Sequence, residues 1–343
     1  KATQEVPKDK MTYRLNNKGE KISILGYGCM RLPTVSNTSA RESSDMIDRD
    51  MVNRHVDYAI EHGINYFDTS PAYCKGLSER AMGIALSRHD RSKYYIATKL
   101  SNFARSTWSY EEGVKMYHKS FKELQVDYID YMLLHGIGMG GMENLHARYL
   151  DNGILDFLLK EREAGKIRNL GFSYHGDVSC FDYLLEHHDK YKWDFVQIQM
   201  NYIDWENAEG DANADYLYEE LEKRNIPVVI MEPLRGGALA KLNHKILEMF
   251  QRSNPDVSAA SWAFRYAGTP KGILTVLSGM TYMEHLQDNI RTYSPLEPLN
   301  EEEYKMINRA AELILNFPLI GCTSCQYCMP CPYGLDIPGI LLH

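Results

Sequence analysis

Eight short apolar runs, each leading into a stretch of helical periodicity, recur at intervals of roughly 30–40 residues through most of the chain. The runs are 24–29, 64–69, 94–99, 128–135, 167–173, 194–201, 226–232 and 272–278. The helical stretches fall at 44–62, 77–89, 109–125, 149–164, 178–190, 213–224, 244–252 with 257–267, and 282–292. Runs this short and this continuously apolar suit strands buried on both faces, and strict alternation with helices implies a parallel sheet. Eight such units in about 270 residues fit a closed (β/α)₈ barrel better than an open sheet. The expected fold is therefore α/β, a (β/α)₈ TIM barrel. An N-terminal β-hairpin at 13–23 turns at Asn16-Asn17-Lys18-Gly19, and a further helix at 299–315 precedes a cysteine-rich tail. Residues 1–12 are polar and expected to be disordered, 13–316 form the barrel, and 317–343 form the tail.

In a barrel of this kind the chemistry sits where the strands end at their C-termini. Three consecutive runs end on chemically capable residues. Asp68 closes the first of them, and Tyr73 follows in the loop opened by Ser70-Pro71. Lys99 closes the next, and His135 the one after. A neutral tyrosine, with a pKa near ~10, is a poor acid at neutral pH. A neighbouring ammonium lowers that pKa, and an aspartate holds the ammonium charged and in place. A histidine beside them can hydrogen-bond a carbonyl oxygen. Together the four can polarise a carbonyl and protonate the alkoxide that forms. A hydride source is missing, which implies a nicotinamide cofactor. The alternative for each residue alone is ordinary: a strand cap, a solvated lysine, a core histidine.

The segments Gly28-Cys29-Met30-Arg31-Leu32-Pro33, Phe67-Asp68-Thr69-Ser70-Pro71-Ala72-Tyr73, Thr98-Lys99 and Leu133-Leu134-His135 resemble the aldo-keto reductase family, over about residues 13–315. The resemblance implies NAD(P)H lying across the C-terminal mouth, without a Rossmann fold. It makes Tyr73 the proton donor, Lys99 its tuner, Asp68 the orienter of Lys99, and His135 the carbonyl ligand. It places Gly28, Cys29 and Met30 at the cofactor's edge, with Ser173 and Gln197 on the nicotinamide amide and Met231 where an aromatic ring often covers the nicotinamide. Leu234 and Gly236 flank the pyrophosphate. Ser278, Gly279, Met280 and Thr281 form the adenosine-phosphate loop, with His285 beside it, and Asp288 and Asn289 hold the adenine. Tyr174 stands where the family has an asparagine. Gly279 and His285 stand where lysine and arginine are common, so NADH is expected to serve at least as well as NADPH. The segment Gly26-Tyr27-Gly28 is not a dinucleotide fingerprint, since it lacks a third glycine and an acidic partner.

Seven cysteines are unevenly spread. Cys29, Cys74 and Cys180 stand alone, and the first two border the expected mouth as small hydrophobes. Cys322, Cys325, Cys328 and Cys331, followed by Pro332, form a C-x₂-C-x₂-C-x₂-C-P run. The spacing is similar to a bacterial ferredoxin motif with one residue fewer before the last cysteine, and implies a [4Fe–4S] cluster, with structural zinc as the lesser alternative. A formal net charge of −8 argues against nucleic-acid binding, and no apolar run is long enough to span a membrane. A nicotinamide cofactor and reduced cysteines favour the cytoplasm, although the chain begins Lys1-Ala2-Thr3 and a removed leader stays open. The function expected is reversible reduction of an aldehyde or ketone, with a small carbonyl compound as substrate. A second reading is a redox-sensing or electron-transfer accessory protein that meets a redox partner through the cysteine tail.

Overall fold

The computed structural model describes residues 4–210, 212–317 and 329–341. Its strands are β1 Tyr13–Leu15, β2 Lys21–Ser23, β3 Leu25–Gly28, β4 Tyr66–Asp68, β5 Tyr95–Leu100, β6 Ile129–Ile137, β7 Ile167–Tyr174, β8 Phe195–Gln199, β9 Val228–Met231 and β10 Ile273–Gly279. β1 and β2 pair antiparallel around the predicted turn. The other eight close into a barrel in the order β10-β3-β4-β5-β6-β7-β8-β9, all in parallel. The eight-fold sequence repeat is thus the eight-stranded barrel.

Several of the helices between strands start where short polar side chains satisfy exposed backbone N–H groups. Asp48 caps Arg49–Glu61, Ser109 caps Tyr110–Leu124, Asp177 caps Val178–Glu186 and Ser258 caps Ala259–Gly268. Two expected helices differ from the sequence pattern. The one expected at 178–190 divides at His187, which leaves helical geometry (φ −96°, ψ 19°). The one expected at 149–164 begins only at Ile154, because Gly153 takes φ 80°. Upstream, Gly141–Leu145 is helical and His146–Leu150 continues as a π-helical turn.

The strands' N-terminal ends form the lower end of the barrel. Its core brings Tyr66, Tyr131, Phe195 and Leu274 together with Ile22 from the hairpin. The Tyr66 and Tyr131 rings meet edge-on at 5.0 Å, as do Tyr131 and Phe195. The Asn16 side-chain amide donates to the Tyr131 hydroxyl at 2.9 Å, so the hairpin plugs this end. Residues 4–12 are tied to the barrel at several points. Met11 is buried, the Thr12 N–H donates to the Tyr293 carbonyl at 3.0 Å, and Lys8 pairs with Glu61. One apolar side chain and two backbone bonds anchor a segment that has no periodicity of its own.

The chain divides into two compact units, Lys1–Asn300 and Glu301–His343. In the second, the helix Glu301–Leu315 opens on three glutamates, where the N-terminal dipole favours negative charge. Ile337–Leu341 is a short second helix.

Candidate active site

Register places the first three site residues on one rim. Gly28 of β3 lies beside Asp68 at the end of β4, and Lys99 near the end of β5 lies beside Leu133 of β6, two residues before His135. The Lys99 ammonium donates to Asp68 Oδ1 at 2.7 Å and to the Thr69 carbonyl at 2.8 Å. Both side chains are buried, so neither charge is shared with water. Burial works against the Lys99 charge, but Asp68 and Tyr73 more than offset it and raise the lysine's pKa. Burial also pushes Asp68 up while Lys99 pulls it down. The short ammonium–carboxylate distance favours the ionised pair. Asp68 Oδ2 is buried and has no partner among the described residues.

Tyr73 follows β4 in a tight turn. Directly after it, Cys74 and Lys75 both take left-handed backbone angles, φ 51° and 54°, which reverse the chain and hold the tyrosine over the rim. Lys99 Nζ lies 4.7 Å from the Tyr73 ring centre, and the His135 ring meets the Tyr73 ring edge-on at 5.9 Å. Lys99 pulls the phenol's pKa down, as expected of a neighbouring ammonium, but burial outweighs it. Burial pushes Tyr73 up to about 12, and the downward pull of Lys99 only limits the rise. The buried phenol therefore holds its proton at neutral pH.

His135 is held from several sides. Its backbone N–H donates to the Tyr149 hydroxyl at 2.9 Å, and its carbonyl accepts from Arg148 at 2.6 Å. Its Nδ1 lies 2.6 Å from Ser101 Oγ, and Phe103 lies against the ring at 4.7 Å. Burial, then Lys99, His175 and Arg148, push its pKa well below that of a free imidazole, so the ring is neutral at pH 7.

Several of the residues expected around a nicotinamide cofactor lie at the C-terminal ends of the barrel strands or in the loops after them. Ser173 and Gln197 are register partners on β7 and β8. The Ser173 hydroxyl accepts the Gly136 N–H at 3.0 Å and keeps its own proton to donate. Gln197 Oε1 is buried with no partner among the described residues, while its Nε2 lies 3.5 Å from Met231 Sδ. An orphaned amide oxygen beside a free hydroxyl suits a bound carboxamide, so the donor set fits the nicotinamide end. Farther along, Gly28 and Gly279 are register partners, and a Cβ on Gly28 would lie 3.2 Å from the Ser278 carbonyl oxygen. Asn289 donates to Ser278 Oγ at 3.0 Å, Asp288 accepts from Ser258 at 2.5 Å, and Thr281 donates to the Arg31 carbonyl at 2.7 Å. Met280 is buried, and Leu234 and Gly236 lie in the turn after β9, where the Gly237 N–H donates to the Leu234 carbonyl. Cys29 and Met30 accept through their carbonyls from the Cys74 thiol, and both Cys29 and Cys74 are buried. His285 stands apart as an exposed ring edge-on to Tyr282.

Several residues at this rim carried no assigned role in the sequence. Arg31 packs on Gly279, where an added Cβ would come within 3.0 Å of its Cδ, and it pairs with Glu42 at 3.2 Å. The loop after β10 thus has a cation from β3's extension, although neither Gly279 nor His285 supplies one. Arg148 is buried and donates to the carbonyls of Asn102, His135 and Gly136 and to the Asn102 side chain. It comes from the π-helical turn, a geometry with no sequence signature. Arg31 was legible in principle, since it belongs to the quoted Gly28–Pro33 segment.

In the tail, Cys331 is half-buried and its carbonyl accepts the Gly334 N–H at 3.0 Å. Cys322, Cys325 and Cys328 lie outside the described residues. Among the described residues no group of three or more His, Cys, Asp or Glu side chains is arranged to hold a metal ion, and no helix is long and apolar enough to cross a membrane.

A parallel eight-stranded barrel with Asp68, Tyr73, Lys99 and His135 on its upper rim is the architecture of a barrel oxidoreductase, and the family model for the aldo/keto reductase family matches residues 25–312: the chain belongs to that family. It is 26 % identical over 308 residues to L-galactose dehydrogenase of Arabidopsis thaliana, covering 84 % of this chain and 90 % of that protein. It is 28 % identical over 319 residues to the uncharacterized oxidoreductase YqkF of Bacillus subtilis, covering 83 % and 92 %. Among solved structures, an aldo-keto reductase of Klebsiella pneumoniae in complex with NADPH superposes with a TM-score of 0.68 at 18 % identity, over 87 % of this chain and 94 % of that one. The protein is accordingly an oxidoreductase enzyme, and the accessory-protein reading gains no support.

Proposed function

We propose that this enzyme reduces an aldehyde or ketone to the alcohol, reversibly, with Tyr73 as proton donor. The observation that carries the reading is the buried Lys99–Asp68 pair at 2.7 Å set beneath the Tyr73 ring and beside a neutral His135. His135 and Tyr73 both face the position a carbonyl oxygen would take. As charge builds on that oxygen, Lys99 stabilises the phenolate left when Tyr73 gives up its proton, and Asp68 keeps Lys99 charged. Burial of the group, which keeps the phenol protonated at rest, also strengthens its response to the developing negative charge.

Ser173, Gln197 and Met231 would hold the nicotinamide end of NAD(P)H. Gly28, Cys29, Met30, Leu234 and Gly236 would line its path, with Ser278, Gly279, Met280, Thr281, Asp288 and Asn289 at the adenosine end. Bound there, the reduced nicotinamide supplies the hydride. Arg31, packed on Gly279, offers a cation where positions 279 and 285 supply none, so we propose that NADPH is accepted at least as well as NADH; the Klebsiella protein of the same fold was crystallised in complex with NADPH.

The functional division we propose gives the reductase to residues 13–316 and a [4Fe–4S] cluster to residues 317–343, in the cytoplasm. Four thiolates at x₂ spacing support the cluster, with Cys322, Cys325, Cys328 and Cys331 as ligands and a redox partner as its outlet. Steady-state oxidation of NADPH and NADH against a panel of aldehydes and ketones tests the main reading; no turnover with any carbonyl removes it. Iron and sulfide analysis of anaerobically purified protein tests the tail, where stoichiometric zinc without iron would replace the cluster with a structural knuckle.

A further inference from the structure

Three hydroxyl-bearing or amide groups that belong to no site residue run in a line behind His135. The Ala72 N–H donates to Ser70 Oγ at 3.0 Å, Ser70 Oγ lies 2.7 Å from Ser101 Oγ, and Ser101 Oγ lies 2.6 Å from His135 Nδ1. Ser70 is fully buried and Ser101 is 8 % exposed, so water does not compete for these bonds. We propose that Ser70 and Ser101 are positioning residues that fix the His135 tautomer with its proton on Nε2, the nitrogen free to donate to a substrate carbonyl.

The direction of the line follows from counting protons. A hydroxyl has one proton to give and two lone pairs. One lone pair of Ser70 Oγ is used by the Ala72 N–H. The Ser70 proton then has a single acceptor among the described residues, Ser101 Oγ. Ser101, having accepted that proton, gives its own to His135 Nδ1. Run the other way, with Nδ1 donating to Ser101 and Ser101 to Ser70, the Ser70 proton would be buried with no acceptor, which native interiors avoid. If Ser101 Oγ instead accepted from both Ser70 and Nδ1, its own proton would lack an acceptor among the described residues, so only the first direction satisfies every group. Which ring nitrogen carries the proton is decided by the bond the other one makes. Lys99 and Arg148 reinforce the arrangement, since two nearby cations disfavour a second proton on the ring.

The arrangement has a consequence for the turn that carries Tyr73. Ser70 and Ala72 belong to the same loop as Tyr73, so the tyrosine and the histidine are oriented by one short stretch of backbone. Proton donor and carbonyl ligand would move together rather than separately.

This inference rests on the carbonyl-reduction reading for its purpose but not for its test. The full chain labelled with ¹⁵N-histidine would be examined by long-range ¹H–¹⁵N correlation at pH 7, with the His135 signals identified by their loss in His135→Gln. The expected pattern for the wild type is a neutral ring with Nε2 protonated and Nδ1 bare but hydrogen-bonded. Ser101→Ala should redistribute the proton between the two nitrogens, and Ser101→Thr, which keeps the hydroxyl, should restore the pattern. Ser70→Ala frees Ser101 to reverse and should raise the Nδ1-protonated fraction; it also serves if Ser101→Ala folds poorly. Where a carbonyl substrate is turned over, Ser101→Ala should lower kcat on the order of 10–100-fold with a smaller change in KM, as loss of a group orienting a functional histidine does. A wild-type ring protonated on Nδ1, or a tautomer unmoved in both alanine variants, would overturn the proposal. Normal tautomer behaviour with no turnover of any carbonyl would leave the relay standing and remove the reductase reading instead.

Discussion

The two ends of the barrel are built from the same strands to opposite purposes. At the lower end Tyr66, Tyr131 and Phe195 fill the interior with ring contacts, Ile22 covers them from the hairpin, and the Tyr131 hydroxyl is matched to Asn16. At the upper end the same strands deliver a buried ion pair, a neutral imidazole, and two oxygens, on Asp68 and Gln197, that are buried and unpartnered among the described residues. The lower end spends its side chains on exclusion of water, and the upper end keeps polar atoms waiting. Stability and reactivity are thus separated by about half the length of a strand, and substitutions at the two ends should divide the same way.

The largest effect should come from Tyr73→Phe, which removes one hydroxyl and keeps the ring. It should lower kcat by ~10²–10⁴-fold, the usual contribution of a general acid, with cofactor affinity and thermal stability nearly unchanged. Steady-state kinetics beside a melting curve would check it, and wild-type turnover would take the donor role from Tyr73. The counterpart at the other end is Tyr131→Ala. Loss of a large buried ring should destabilise the fold by ~3–5 kcal/mol, read from urea unfolding, while kcat of the molecules that remain folded stays the same. A fall in kcat without loss of stability would show that the ends are not separate.

The smallest effect concerns pH. Burial and the nearby cations depress the folded-state pKa of His135, so as pH falls the unfolded chain takes up this proton first. Stability tied to the neutral ring is complete above the ordinary histidine pKa and is lost as pH falls below it toward the folded value. Across that window the loss is at most about 1.4 kcal/mol per pH unit. His135→Gln should therefore flatten the decline in unfolding free energy between pH 7 and pH 5. An equal decline in both proteins would show that His135 is not the group responsible.

The lower end and the positions of the strand ends were legible because both are local. Apolar runs stop at Ser70-Pro71 or at Gly136, and a barrel follows from counting them. Three features were not legible, and each depends on distant partners. Asn16 meets Tyr131 across 115 residues, a match no window of sequence displays. The rise in the Tyr73 pKa was not visible, because the lysine that pulls it down can be read in the sequence and the burial that pushes it up cannot. Arg148 falls in a π-helical turn that merged, in the sequence pattern, with the helix starting at Ile154.

Arg148 has a further implication. No carboxylate among the described residues pairs with it; its hydrogen bonds go to carbonyls, an amide oxygen and the Tyr149 hydroxyl, and the Phe103 and Tyr149 rings lie against it. Its guanidinium adds to the burial, Lys99 and His175 that keep the His135 ring neutral, and its fork of donors ties the backbone on either side of that ring together. A lysine in its place could not reproduce the forked set of bonds to Asn102, His135 and Gly136, and the backbone that carries His135 would lose its brace.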